Sequence, residues 1–435
     1  MDVVNRLTCL RFRWVFCQLE TLRHCLPQNV SHILSQLPAT LDETYARVLR
    51  EIGNTNECYA RRLLQCLTVA ERPLSVDDLA EILALDFGAE EGIPVLKEDW
   101  RWKDHEEAVL SMCSSLIVVV TVDGHYDGRY HFIRVVQFSH FSVKEFLTSD
   151  RLATSSADIS PFHILSRPAH AVIVKACLGI LLRSEQRPHD DTDERPSPLI
   201  RYAAQCWMGH AQFDRLWRVV EDEIRSLLDP EKPHLEGWLK FYHDSDDNRF
   251  IPGFTLWTYR GPPLYYASLC GLRGLTAQLI TENPQHVTGQ VGRNASPLVA
   301  ALHGRHFDIA DLLYQAGADL CIKGDRDMTL LHAASRGGLA DVANWLFDHG
   351  VSAKRTHNGQ PGNIINVNAM DDDDNTPLGL ASTEGHSKIV EQLLIHGADI
   401  NIQNRSHRTA LHLASRSNYW ASAKLSLSLS ISCLI

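Results

Sequence analysis

A repeated motif constrains this chain of 435 residues more than any other feature, because a repeat too short to fold alone must stack on its copies. The segments GPPLYYASLCG, ASPLVAALHG, MTLLHAASRGG, NTPLGLASTEG and RTALHLASRS align. Their equivalent positions Pro263, Pro297, Leu330, Pro377 and Ala410 stand 34, 33, 47 and 33 residues apart. The spacing of 47 is one period of 33 plus a 14-residue insertion. A second apolar stretch ending in glycine comes after the motif in DIADLLYQAGADL (308–320), DVANWLFDHGVSA (341–353) and KIVEQLLIHGADI (388–400).

Elementary helix chemistry accounts for the pattern. Ser or Thr ahead of the motif opens a first helix, and Pro sits in the first turn, where no amide donor is needed. Small pairs such as Ala300-Ala301 and Ala333-Ala334 let two helices approach closely. Gly317, Gly350 and Gly397 are expected to end the second helix at positive φ. Leu312, Leu313, Leu346, Leu393 and Leu394 fill the seams between units, so stability is a sum over nearest neighbours. Thr376-Pro377-Leu378 and Leu331-His332-Ala333-Ala334 make the array resemble the ankyrin repeat family. The resemblance implies a partner-binding solenoid whose tips contact a protein. It also implies that His332 and His412 bond turn backbone and do not ligate metal.

The insertion, roughly Lys354 to Asn366, is rich in Gly, Pro and Asn and reads as an exposed loop or a contact element. Beside it run Asp371, Asp372, Asp373 and Asp374, read either as a solvated tip or as a contact for a basic partner. With Arg355 and His357 of the insertion they form the candidate partner-binding set. After Ala414-Ser415 the chain turns to NYWASAKLSLSLSISCLI, a Leu/Ser alternation of period two in place of a second helix. This tail is read as the product of a truncated or misread gene.

Residues 40–52 form an amphipathic helix opened by a Thr40–Glu43 capping box. A second helix covers 58–70. Pro73 stops it, Ser75 caps a third, and Val76, Leu79, Ala80 and Leu83 are that helix's buried face. A helix over about 105–115 leads into SLIVVVTV, a turn and HFIRVVQFSH. Helices followed by a two-stranded wing describe a winged helix. Asp77, Asp78 and Glu81, with no base, give its third helix the wrong sign for phosphates. Residues 71–110 carry twelve acids against four bases, most of the chain's net charge of −11, so nucleic acid is not an expected partner.

The segments FRWVFCQLETLRHC, LPATLDETYARVL, ERPLSVDDLAEIL, CSSLIVVV and FSHFSVKEFL together resemble fungal NACHT proteins of the STAND class that carry ankyrin repeats. They correspond to the region C-terminal to the ATPase core there, including the winged-helix domain often named after GPI inositol-deacylase. No G-x-S-x-G elbow accompanies that name here. His140 matches the histidine of the family's H-x-S-x-x-E-[FY] motif, which the resemblance implies reaches a bound diphosphate as a nucleotide sensor. The bland alternative is a satisfied histidine at a strand–helix junction. No Gly-Lys dipeptide occurs in the chain, so G-x-x-x-x-G-K-[ST] is absent from it, and no cofactor, metal or catalytic residue is assigned.

A helix is expected after Pro168, with Val172, Ile173, Ala176 and Ile180 on one face; Trp207, Trp217 and Trp238 read as packing residues. Residues 229–258 carry no assignable pattern. Eleven scattered cysteines without a C-x-x-C pair read as reduced thiols of a cytoplasmic protein. Arg6, Arg11 and Arg13 interrupt any leader, and no apolar run approaches a membrane span.

The expectation is a mostly α chain: a remnant of a NACHT helical region (1–39), a winged-helix domain with a small β wing (40–150), a helical spacer (151–258, polar linker 185–198), an ankyrin solenoid (259–417) and an atypical tail (418–435). The expected function is a non-enzymatic protein–protein interaction module, the regulatory half of a NACHT-type signalling protein. Two alternatives stay open: a gene fragment without independent function, and a nucleotide-binding switch whose ATPase core is supplied elsewhere.

Overall fold

The computed structural model describes residues 38, 40–53, 55–88, 92–113, 115–126, 129–183, 197–242, 261–289, 296–350 and 365–416. The expected N-terminal remnant apart from residue 38, most of linker 185–198, most of insertion 354–366 and tail 418–435 lie outside them. The described chain falls into two compact units: residues up to Leu227 with Gly237–His243, and Leu228–Glu236 with the residues from Asp244 on.

In the first unit α1 spans Leu41–Glu51, with the Thr40–Glu43 capping box formed in both directions. Helix α2 (Glu57–Val69) comes next, then α3 (Val76–Leu83), opened by a second reciprocal box between Ser75 and Asp78. Asp78 is buried, and burial pushes its carboxyl above the ordinary range although Ser75 donates to it. Strands β1 (Leu85–Asp86) and β2 (Val95–Leu96) pair antiparallel ahead of α4 (His105–Cys113). The wing is β3 (Ile117–Tyr126) against β4 (Arg129–Phe138), in antiparallel register from Ile117 opposite Phe138 to Tyr126 opposite Arg129. It docks where Val136 N–H donates to the Leu74 carbonyl, and Val135 and Val136 are buried there. Helices α5 (Phe141–Leu147) and α6 (Asp150–Ala153) close the winged helix.

Two of the three acids that give α3 its sign are internal. Glu81 is 4 % exposed and held by both Arg101 Nε (3.1 Å) and Nη2 (2.6 Å), with Ser197 Oγ on the same carboxylate at 2.8 Å. A buried carboxylate is tolerated only with such matched partners. Asp77, the exposed one, meets His105 Nδ1 at 2.5 Å.

Helix α7 (Ser166–Leu181) begins two residues before Pro168, because a proline in the first turn removes no intrahelical bond. It is buried on most of its circumference, beyond the single apolar face read from the sequence, and packs against α2 and α8 (Ile200–Gln212). The helices assigned to a spacer thus share a core with the winged helix. A Cβ on Gly179 would stand 2.6 Å from the Pro94 carbonyl, so glycine is what lets α7 approach β2. After α9 (Glu221–Leu227), α10 (His234–Tyr242) occupies part of the stretch without assignable pattern. Trp207 and Trp238 are fully buried in a T-shaped pair at 5.8 Å, and Trp238 Nε1 donates to the Ala204 carbonyl. Trp217 is buried as well, so all three tryptophans pack.

The second unit is the repeat array. Its helix pairs are α11 (Pro263–Leu269) with α12 (Arg273–Glu282), α13 (Pro297–His303) with α14 (Phe307–Gln315), α15 (Leu330–Gly337) with α16 (Ala340–Gly350), and α17 (Pro377–Glu384) with α18 (Ser387–Ile395). A fifth first helix, α19 (Ala410–Arg416), comes last. Ser296, Thr329 and Thr376 cap their helices through the side-chain oxygen. One left-handed residue succeeds each of the first four first helices at the same register: Gly271, Arg305, Gly338 and Gly385, with φ of 71°, 61°, 69° and 78°. Just beyond it a histidine reaches back to the preceding unit: His306 to the Leu269 carbonyl (3.2 Å) and His386 to that of Arg336 (3.3 Å).

Gly317 and Gly397 take positive φ after the second helix, 96° and 86°. Gly350 does not: α16 runs through it, and its place is steric, since a Cβ there would stand 2.2 Å from Ile365 Cδ1. Glycines 338 and 397 separate conformation from contact. Gly397 has nothing within 4 Å of a built Cβ, whereas at Gly338 the His386 ring lies 2.7 Å away. Gly397→Ala should therefore destabilise by roughly 1 kcal/mol, the left-handed penalty alone. Gly338→Ala should cost roughly twice that, by displacing His386 from its carbonyl. Paired thermal melts check the order.

Candidate functional site

The tips of the array are built by one turn used repeatedly. Gly324, Asp371 and Asn404 occupy the same register, and each donates its amide to a carbonyl four residues on: Met328, Asn375 and Arg408. Asp327, Asp374 and His407 share the left-handed position, with φ of 58°, 58° and 55°.

The four aspartates of the acidic run have different situations. Asp371 is buried, and its Oδ1 accepts from the amides of Asp373 (2.9 Å) and Asn375 (2.8 Å), so it shapes the turn from inside. Asn404 does the same one unit later, accepting from Ser406 and Arg408. Asp372 and Asp373 are exposed, Asp374 half-buried. Asp373 lies 3.9 Å from Arg326 and Asp374 3.5 Å from Arg405. Main-chain bonds run alongside, from Asp372 N–H to the Arg326 carbonyl and from Arg405 N–H to that of Asp373. The tips of three units thus join in one ribbon of alternating charge. Asp372 has no side-chain partner among the described residues, and Met370 is 47 % exposed beside it. Arg355 and His357 lie outside the described residues.

Sequence reading missed Arg326, Arg405, Asn375 and Met370. The signal was present for the two arginines, which flank the run at the spacing of the units.

His332 is fully buried. Its Nδ1 faces the Thr329 amide (3.2 Å) and hydroxyl (2.8 Å), and its Nε2 donates to the Asn375 carbonyl of the next tip at 3.0 Å. An Nδ1 that accepts an amide proton belongs to a neutral ring. Burial likewise lowers its pKa, against the pull of the Asn375 carbonyl. His412 repeats the contact to Thr409.

His140 caps α5. Its Nδ1 accepts from the Ser142 amide at 3.2 Å and lies 2.6 Å from Ser142 Oγ, which meets Tyr45 OH at 2.8 Å. Helix start and α1 are tied together through this chain. His140 is only half-buried.

Among the described residues no group of three His, Cys, Asp or Glu side chains could hold a metal ion, and no helix is long and apolar enough to cross a membrane. The seven cysteines described are free thiols; burial pushes those of Cys66 and Cys113 up to about 12, far from nucleophilic.

Comparison with known proteins names both units. The winged helix domain of GPI inositol-deacylase matches residues 49–159, and the ankyrin repeat family, in three copies, matches 358–430. The azaphilone pigments biosynthesis cluster protein L of Monascus ruber is 29 % identical over 323 residues, 69 % of this chain and 65 % of that protein. The vegetative incompatibility protein HET-E-1 of Podospora anserina is 26 % identical over 206 residues, 41 % of this chain and 13 % of that protein. The transient receptor potential cation channel subfamily A member 1 of Drosophila melanogaster is 30 % identical over 129 residues, 30 % of this chain and 10 % of that protein. The chain spans less than two thirds of each of these relatives. It is a mostly helical chain with a GPI-inositol-deacylase-type winged helix and ankyrin repeats, a repeat class that generally mediates protein–protein contacts.

The neutral His332 makes the tip acid-sensitive. Unfolded, the ring takes a proton near its ordinary 6.5; folded, only below that. Its contribution is complete above pH 6.5 and is lost as the pH falls. His332→Gln should lower stability at pH 7.5 by roughly 1–2 kcal/mol and flatten the decline between pH 7 and 5. Circular-dichroism melts across that range test both.

Proposed function

We propose that this chain is a non-enzymatic protein–protein interaction module, the regulatory half of a NACHT-type signalling protein, with the ankyrin array as its partner-binding surface. The observation that carries the reading is the continuous tip ribbon from Arg326 through Asp372 to Arg405, with an unpaired carboxylate beside an exposed methionine. A surface of this kind takes a partner with a basic side chain for Asp372 and an apolar one for Met370. Asp373 and Asp374 present the remaining charge, Asp371 holds the turn, and Arg355 and His357 extend the contact. The likeness to a vegetative incompatibility protein and the FSHFSVKEFL stretch support a signalling context. In that context His140 senses nucleotide only beside an ATPase core; in this chain alone it serves as a helix cap.

Immobilised full-length chain, cross-linked in cell extract, identifies the partner, whose affinity is then measured. Asp372→Lys with Asp373→Lys should weaken it at least about tenfold, a loss of about 1.4 kcal/mol, at unchanged melting temperature. Asp371→Ala, which removes the acceptor of the Asp373 and Asn375 amides, should lower the melting temperature and leave the charges of Asp372 and Asp373 in place. Labelled ADP should not be retained at micromolar concentration by the wild-type chain or by His140→Ala. Retention by wild type alone would move the function to nucleotide sensing.

A further inference from the structure

A second surface, unrelated to the repeat tips, lies on the winged-helix unit. A cleft of about 460 Å³ opens between the start of α2 and the segment joining β2 to α4. Tyr59, Asp99, Trp100 and Trp102 stand around it, with Met112 and Leu83 on its walls. Trp100 and Trp102 are 38 % and 45 % exposed, so part of each ring faces the solvent at the cleft. Neither indole N–H nor the Asp99 carboxylate has a partner among the described residues. Arg101 also lines the cleft, but its guanidinium is committed to Glu81 and Glu98. One face of Tyr59 already carries Arg62, 5.6 Å from the ring centroid, so the tryptophans are the free aromatic faces.

A smaller cleft of about 180 Å³ adjoins the first and shares Asn56 and Met112 with it. Glu51, 68 % exposed in its side chain, stands at its rim. The two clefts therefore offer two acids, the unpaired Asp99 and Glu51, whose carboxylate lies 3.9 Å from Arg47 Nε, with Asn56 and Met112 lining both clefts. Aromatic faces beside an unpaired carboxylate recognise organic cations, and an adjoining cleft with a second acid at its rim suits a peptide that carries two basic residues.

We propose that these joined clefts bind a basic peptide segment of a partner protein. One Arg or Lys side chain lies against Trp100 and Trp102 with its charge on Asp99, and a second basic residue reaches Glu51. The inference goes beyond the tip surface and stands without it.

The probe is a fluorescein-labelled eight-residue Gly/Ser peptide with arginines at its third and sixth positions, titrated with full-length chain by fluorescence anisotropy. Saturable binding is expected. Trp102→Ala and Asp99→Asn should each weaken it by about fivefold and Glu51→Gln by about twofold, with melting temperatures unchanged. Replacing both arginines with citrulline should abolish it. Asp372→Asn with Asp373→Asn should leave it intact, which separates this surface from the tips. Absence of saturable binding, equal binding by Trp102→Ala, or equal binding of the citrulline peptide would overturn the proposal. So would tetramethylammonium chloride binding as tightly as the peptide, which would assign the cleft to small cations.

Discussion

No unit of the repeat array buries its apolar face against itself, and everything else in that half of the molecule depends on this. The leucines of one second helix pack on the first helix of their own unit and need the neighbouring pair to cover the rest. The polar contacts obey the same logic. His306 and His386 reach back to the carbonyl end of the preceding first helix, while His332 reaches forward to the next tip. Each unit thus supplies donors that its neighbour's helix end lacks. The tip ribbon is a by-product: once the turns are stacked, their amides and side chains fall within reach of one another.

The winged-helix unit solves a different problem, that of placing charge inside. Asp78 is spent on capping its own helix and Glu81 on a two-point grip from Arg101. Both carboxylates therefore leave the surface, and α3 presents less negative charge than its sequence carries. Helix α7, buried on most sides, anchors the arrangement by packing against α2 and α8.

Local chemistry was legible in the sequence. The box at Thr40, the cap at Ser75, the Ser and Thr caps of the repeats, the left-handed Gly317 and Gly397, and the wing are all set by residues within a few positions of one another. What escaped depends on partners far along the chain. Gly350 needs no special φ; it is small because of Ile365. Asp371 looks like its three neighbours until the turn folds around it. Glu81 finds its cation twenty residues away and a hydroxyl beyond that. Of the tip surface, the acidic run was visible, whereas the arginines that thread it into a ribbon needed the stacking to be known.

Contacts confined to neighbours also give the array a mechanical character. Drawn apart by its ends, such a solenoid comes away one layer at a time, since losing a layer releases only the next one. Most layers would free 33 residues, roughly 115 Å of extended chain, and the one carrying the insertion 47, roughly 165 Å. The insertion would then appear as a single longer step in a force trace, marking its own position in the stack.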